Sequence, residues 1–229
     1  MVGALNEAAL AREAIRLYRR YAVEIVEALG FCPYAERCRQ EGRTREVVIA
    51  EPTPTDERVL EAVEELAEDP QVEIGLVLLP RLALGQASLG RWVEVLRKAH
   101  AARRDGRALV AIEGFHPAAA ADTSTPERLT PFVRRTPDPT LQLTRLSVLD
   151  RVRRGSSTGT AFVDPDALAL AALTAPPKPP LHERISELNL ETVRALGVED
   201  VEARVQSILR DRDASYLALD PTIIRRAGA

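Results

Sequence analysis

Residues 136–152 read TPDPTLQLTRLSVLDRV. Leu141, Arg145, Val148, Leu149 and Val152 recur at helical spacing, so the stretch is expected to form a helix. Asp138 or Thr140 would cap it, with Pro139 in the first turn. Read as a helix, it adds no strand to the three patterns before it. Residues 45–51 (REVVIAE), 72–79 (VEIGLVLL) and 107–115 each read as a strand. Between the first two, Thr55 suits the N-cap of a helix that buries Val59, Leu60, Val63 and Leu66. Between the second and third, Ser88 is expected to cap a helix with Leu89, Trp92, Val93, Leu96 and Ala99 inward. Connections of that length suit crossovers in a parallel sheet. The expected fold is α/β, a mostly parallel sheet of three to four strands flanked by helices. A ferredoxin-like α+β arrangement is the alternative.

Further out, Leu10, Ala14, Leu17, Tyr18, Tyr21, Ile25 and Leu29 predict one helix over residues 8–29. Gly30 stands where a helix-ending residue in the left-handed region belongs. Past the opening stretch, residues 155–159 (GSSTG) read as a break, 160–163 as a short strand and 166–173 as a helix. The tract APPKPP at 175–180 reads as a semi-rigid linker. Residues 186–196 and 199–212 are helical in pattern, divided by Gly197. The expected organisation is an α/β core over 1–154 with a helical C-terminal extension, 155–229, packed on it.

The chain has 229 residues, 45% of them hydrophobic, enough for one sizeable core. Its net charge of −3 and 4% aromatic content weigh against a nucleic-acid binder, which relies on basic patches and stacking rings. No run approaches the ~18 apolar residues of a membrane span, and the N-terminus lacks the pattern of a signal peptide. Cys32 and Cys38 are the only cysteines, and a disulfide framework is not needed at this size. A cytoplasmic location is expected.

The segment between residues 114 and 145 is long, proline-rich and without an obvious element, which suggests a use beyond connection. His116 stands where the third strand ends, and in open parallel sheets ligands bind beyond the carboxyl ends of strands. Cys32 precedes Pro33, which suits the first position of a short helix over 33–40. As its N-cap, the thiol would face the positive end of the helix dipole, which favours thiolate. Arg134 and Arg135 next to a helix start would suit phosphate or carboxylate. Arg145, set among Leu141, Val148 and Leu149, would need an anionic partner. Each of these has a plainer reading: a strand-end cap for His116, a small buried hydrophobe for Cys32, an ion pair with Asp122 or Glu113 for Arg145.

Three short signatures occur in order: Cys32-Pro33-Tyr34-Ala35, Phe115-His116-Pro117, and Arg135-Thr136-Pro137-Asp138-Pro139-Thr140. The set resembles a bacterial family known only as a domain of unknown function. Two positions depart from the family pattern: Arg134 where it has Asn, and Asp138 where it has an aromatic. The resemblance implies candidate positions and no reaction. The leading expectation is an enzyme acting on a small anionic substrate. Cys32 would be nucleophile or redox thiol and His116 its base, with Arg135, Thr140 and Arg145 holding the anion. The alternatives are a metal- or haem-binding protein using Cys32 and His116, and a non-catalytic interaction module. A homodimer through the C-terminal helices is compatible with the sequence.

Overall fold

The computed structural model describes residues 2–153 and 181–220. The elements expected at 155–159, 160–163, 166–173 and 175–180 lie outside them. In chain order the elements are α1 (Val2–Tyr21), a π-helical segment (Ala22–Glu27), α2 (Ala35–Gln40) and β1 (Thr44–Val48). Then follow α3 (Asp56–Glu68), β2 (Ile74–Leu78), α4 (Gln86–Ala102), β3 (Val110–Phe115) and α5 (Pro126–Val133). The chain continues through β4 (Thr140–Arg145), α6 (Leu146–Arg153), α7 (Leu181–Leu196) and α8 (Val198–Leu219).

Among the described residues the sheet has four strands, in the order β1-β2-β4-β3. Only β1 and β2 pair in parallel; β4 lies antiparallel to both β2 and β3. This corrects the mostly parallel expectation. β1, β2 and β3 do run in one direction, but β4 enters between β2 and β3 in the other. The ferredoxin-like alternative does not hold either, since it joins two strands directly and here a helix separates every consecutive pair.

The difference lies in residues 136–152. Leu141 and Leu143 are buried while Gln142 and Thr144, each following one of them, are half-buried, a period of two that belongs to a strand. The helical spacing from Leu141 to Val152 bridged two elements, since α6 begins directly at Leu146. Asp138 and Thr140 therefore cap no helix.

Strand alternation divides the core. Leu76 and Leu78 face a cluster built by Tyr18, Tyr21 and Ile25, with Phe132 from α5. The C-terminal helices add Leu190, Val193, Val201, Val205 and Ile208 to that same cluster. Val77 and Leu79, with Ile112, Leu141 and Leu143, face α3 and α4 on the other side. Thr55 caps α3 as expected, its hydroxyl accepting from the Arg58 N–H at 3.2 Å. α4 starts two residues before Ser88, with Gly85 at its N-cap.

The first helix does not run unbroken to residue 29. It widens after Tyr21, where Ala28 N–H reaches the Val23 carbonyl and Phe31 N–H that of Val26, both five residues back. Gly30 ends it in the left-handed region at φ 67, and Gly197 separates α7 from α8 at φ 88. The proline-rich segment holds a helix that its prolines concealed. Thr125 caps α5, Pro126 opens it, and Pro131 sits inside it.

Candidate functional site

The common direction of β1, β2 and β3 puts their carboxyl ends on one edge of the sheet. Among the described residues β3 is also an outer strand, so no described strand pairs with its side away from β4. A groove of about 310 Å³ runs there. Its wall from α4 is Gln86, Gly90, Glu94 and Arg97, one helix face beside the buried stripe of Leu89, Val93 and Leu96. β3 contributes Glu113 and Gly114, followed by His116; α5 and its end contribute Thr130, Pro131 and Arg134.

Close packing sets α4 against the strand. A Cβ on Gly114 would lie 2.9 Å from Val93 Cγ2, so a larger residue requires Val93 to give way. Gly90 is the opposite case: a Cβ there would meet nothing within 4 Å. Its missing side chain leaves room in the groove and serves no contact.

Arg97 reaches around the strand edge. Its Nε donates to the Ile112 carbonyl at 2.6 Å and its Nη2 to Glu113 at 2.8 Å. Because Ile112 turns its carbonyl outward, the alternation of antiparallel backbone turns the Gly114 N–H the same way, toward the groove. Arg134 lies over the Phe115 ring, 5.3 Å from its centre, and donates to the other oxygen of Glu113 at 3.3 Å. Glu94 pairs with Arg97 from one turn back. The wall thus carries a row of alternating charge: Glu94, Arg97, Glu113, Arg134.

His116 lines this groove with both ring nitrogens engaged. Nδ1 accepts from the Ala118 N–H at 3.1 Å, which makes the ring a neutral tautomer whose Nε2–H donates to the Leu84 carbonyl at 2.8 Å. The ring ties the loop after β3 to the loop before α4.

The other expected site residues lie elsewhere. Arg135 is buried, donating from Nε to the Pro117 carbonyl at 2.9 Å and pairing through Nη1 with Glu202 of α8. Thr140 is fully buried, and its hydroxyl donates to the Asp138 carbonyl at 2.9 Å. Arg145 stands at the far end of β4, against the opposite edge of the sheet. Among the described residues it finds no anionic partner there: its guanidinium donates to the carbonyls of Ala67, Asp69 and Val72. A cation at the carboxyl end of α3 meets the negative end of that helix dipole.

Cys32 is half-buried near Tyr18 and Tyr21, on the sheet face that carries α1. It lies in the turn before α2, two residues ahead of the N-cap Tyr34, and it does not line the groove. No hydrogen bond joins it to His116, and their roles as a pair remain an expectation of the sequence alone. Cys38 is buried, and its thiol donates to Glu73 at 3.5 Å. Burial pushes that thiol up, with the Glu73 carboxylate adding to the effect. Among the described residues no three His, Cys, Asp or Glu side chains gather as a metal site. No described helix is long and apolar enough to cross a membrane.

A family model matches residues 13–160, well over half of the chain. The chain belongs to this family, described as "Protein of unknown function (DUF1415)". No curated protein and no solved structure matches the chain.

The DUF1415 match takes in the whole groove and stops before α7. Glu202, the partner of Arg135, and Tyr216, which donates to the Asp138 carboxylate at 2.6 Å, lie beyond it. Within the matched DUF1415 residues, sequence reading passed over Arg97, Glu94 and Gly90. Their signal was weak but present: Gln86, Gly90, Glu94 and Arg97 form a second face of α4, polar, with an unexplained glycine in its middle.

Proposed function

We propose that the groove between α4, β3 and α5 binds a small molecule bearing a carboxylate or phosphate, held by Arg97 and Arg134. One observation carries this reading. Two guanidinium groups, 37% and 40% exposed, converge on a single carboxylate in the wall of an open groove. Ion pairs exposed to that degree stabilise by ~1 kcal/mol or less, so a ligand competes with Glu113 at little cost. Unpairing buried Arg135 would cost several kcal/mol, roughly 3 to 5. The arginines that suit ligand capture are therefore the exposed pair. The outward Gly114 N–H adds a neutral donor beside them.

Binding, with no bond-making step, is the reading the geometry supports best. A general base needs a free lone pair, and the Ala118 N–H occupies that of His116 Nδ1. His116 holds the rim of the groove by joining two of its loops. The test is a melting assay of the full chain with a panel of small carboxylates, phosphates and amino acids, since a ligand of the native state raises the melting temperature. At least one member should give a saturable rise that Arg134→Gln removes. A rise unchanged in Arg134→Gln, or none from any member, would end this reading.

A further inference from the structure

We infer that the ligand of this groove is zwitterionic, a small amino acid or amino phosphate with an ammonium group as well as its anionic end. The inference rests on the binding reading above and narrows it. Arg97 and Arg134 are matched by Glu94 and Glu113, so the charged wall is neutral as a whole. A plain anion entering it would meet guanidiniums already shared with carboxylates and would bring one uncompensated negative charge. A zwitterion brings both signs to a wall that displays both signs.

The order along the wall gives the two ends their places. The Arg134 guanidinium, stacked on Phe115, donates to Glu113 alone among the described residues, which leaves N–H groups for the anionic end. Glu94 is 58% exposed and lies at the other end of the row, one helical turn beyond Gly90 on the same face of α4. The space that Gly90 leaves unfilled therefore opens directly beside a carboxylate that can take an ammonium group. A glycine within a helix is unfavourable relative to alanine, and no neighbour demands this one. Between the two ends the floor is apolar, formed by Leu89, Val93 and Pro131, which suits a short aliphatic stem.

Size agrees. The groove of about 310 Å³ corresponds to ~10 water molecules at ~30 Å³ each. A bare ion would fill little of it; a small amino acid fits with room left for water.

The experiment compares matched ligands on the full chain by melting temperature and calorimetric titration. The ladder is glycine, β-alanine, γ-aminobutyrate, lysine and phosphoethanolamine. The controls carry one charge type each: butyrate and phosphate for the anion, butylamine for the cation. At least one zwitterion should bind tenfold or more tightly than its single-charge counterparts. In Glu94→Gln the zwitterion and the plain carboxylate should bind alike, and in Arg134→Gln both should be lost. Butyrate or phosphate binding as well as every zwitterion would overturn this inference and leave the anion-binding reading standing. Preference for the zwitterion that survives in Glu94→Gln would also overturn it. Binding by none of the ligands would overturn both.

Discussion

At the scale of single residues, the same side chain serves opposite purposes according to what surrounds it. Arg97 and Arg134 share one half-exposed carboxylate, while Arg135 and Arg145 are spent on carbonyls and on Glu202. The cysteines divide in the same way. Cys38 is 1% exposed and donates to Glu73, whereas Cys32 is half-buried before α2. The attacking species in alkylation is the thiolate, and burial raises the Cys38 thiol away from it. Cys32 is expected to react with iodoacetamide at neutral pH at least tenfold faster than Cys38, read by mass spectrometry over time. Equal rates would mean that the buried pocket around Cys38 opens as readily as the Cys32 turn.

At the scale of elements, α4 is a helix with two working faces. One packs Leu89, Val93 and Leu96 onto the sheet, and the adjacent one forms the groove. The two glycines at this contact separate packing from open space. Gly90→Ala adds a methyl group where nothing lies within 4 Å and removes the helical penalty of glycine. It should stabilise the protein by roughly 0.5–1 kcal/mol. Gly114→Ala should destabilise it by about 1–3 kcal/mol, because the new Cβ would overlap Val93 and force α4 off the strand. Urea denaturation of both variants checks this pair. The same sign for both would show that the two faces of α4 are not distinct in this way.

At the scale of the whole molecule, α8 is tied to the end of β4 by a buried carboxylate. Asp138 accepts from the Tyr216 hydroxyl at 2.6 Å, and Arg212 donates to the Pro137 carbonyl at 2.6 Å. Burial pushes the Asp138 carboxyl from an ordinary 3.8 up to about 6, against the opposing effect of the Tyr216 hydrogen bond. A folded-state value above the unfolded one means that the native state holds this proton more tightly. The contribution of Asp138 to stability is therefore greatest below about 3.8, declines as pH rises through about 6, and is level above. The loss amounts to about 3 kcal/mol. Asp211 behaves in reverse: Arg16, with Arg20, holds it at about 2, so its support is lost only as pH falls below 3.8. The two windows do not overlap. Stability measured by urea denaturation across the Asp138 window should decline with rising pH more steeply in the unmutated protein than in Asp138→Asn. Parallel profiles would show that Asp138 is not titrating in the fold.

What the sequence determined by itself is the part that local physics sets. The amphipathic period of α3 and its Thr55 cap, the left-handed turn at Gly30, the division of two helices at Gly197, and the three strands β1, β2 and β3 were all legible. Each depends on residues within a few positions of one another. The family was legible too, from three short motifs read in order. The tertiary structure alone decided the direction of β4, brought Arg97 into the groove, and separated Arg134, which lines it, from Arg135, which is buried. A period of two over Thr140–Arg145 was masked by the helix that starts at the next residue, and pairing partners for a strand come from distant chain. An arginine is committed or available according to what other elements bring to it. Arg135 meets Glu202 from 67 residues away, and Arg97 meets the edge of a strand that sequence places after it and only folding places beside it.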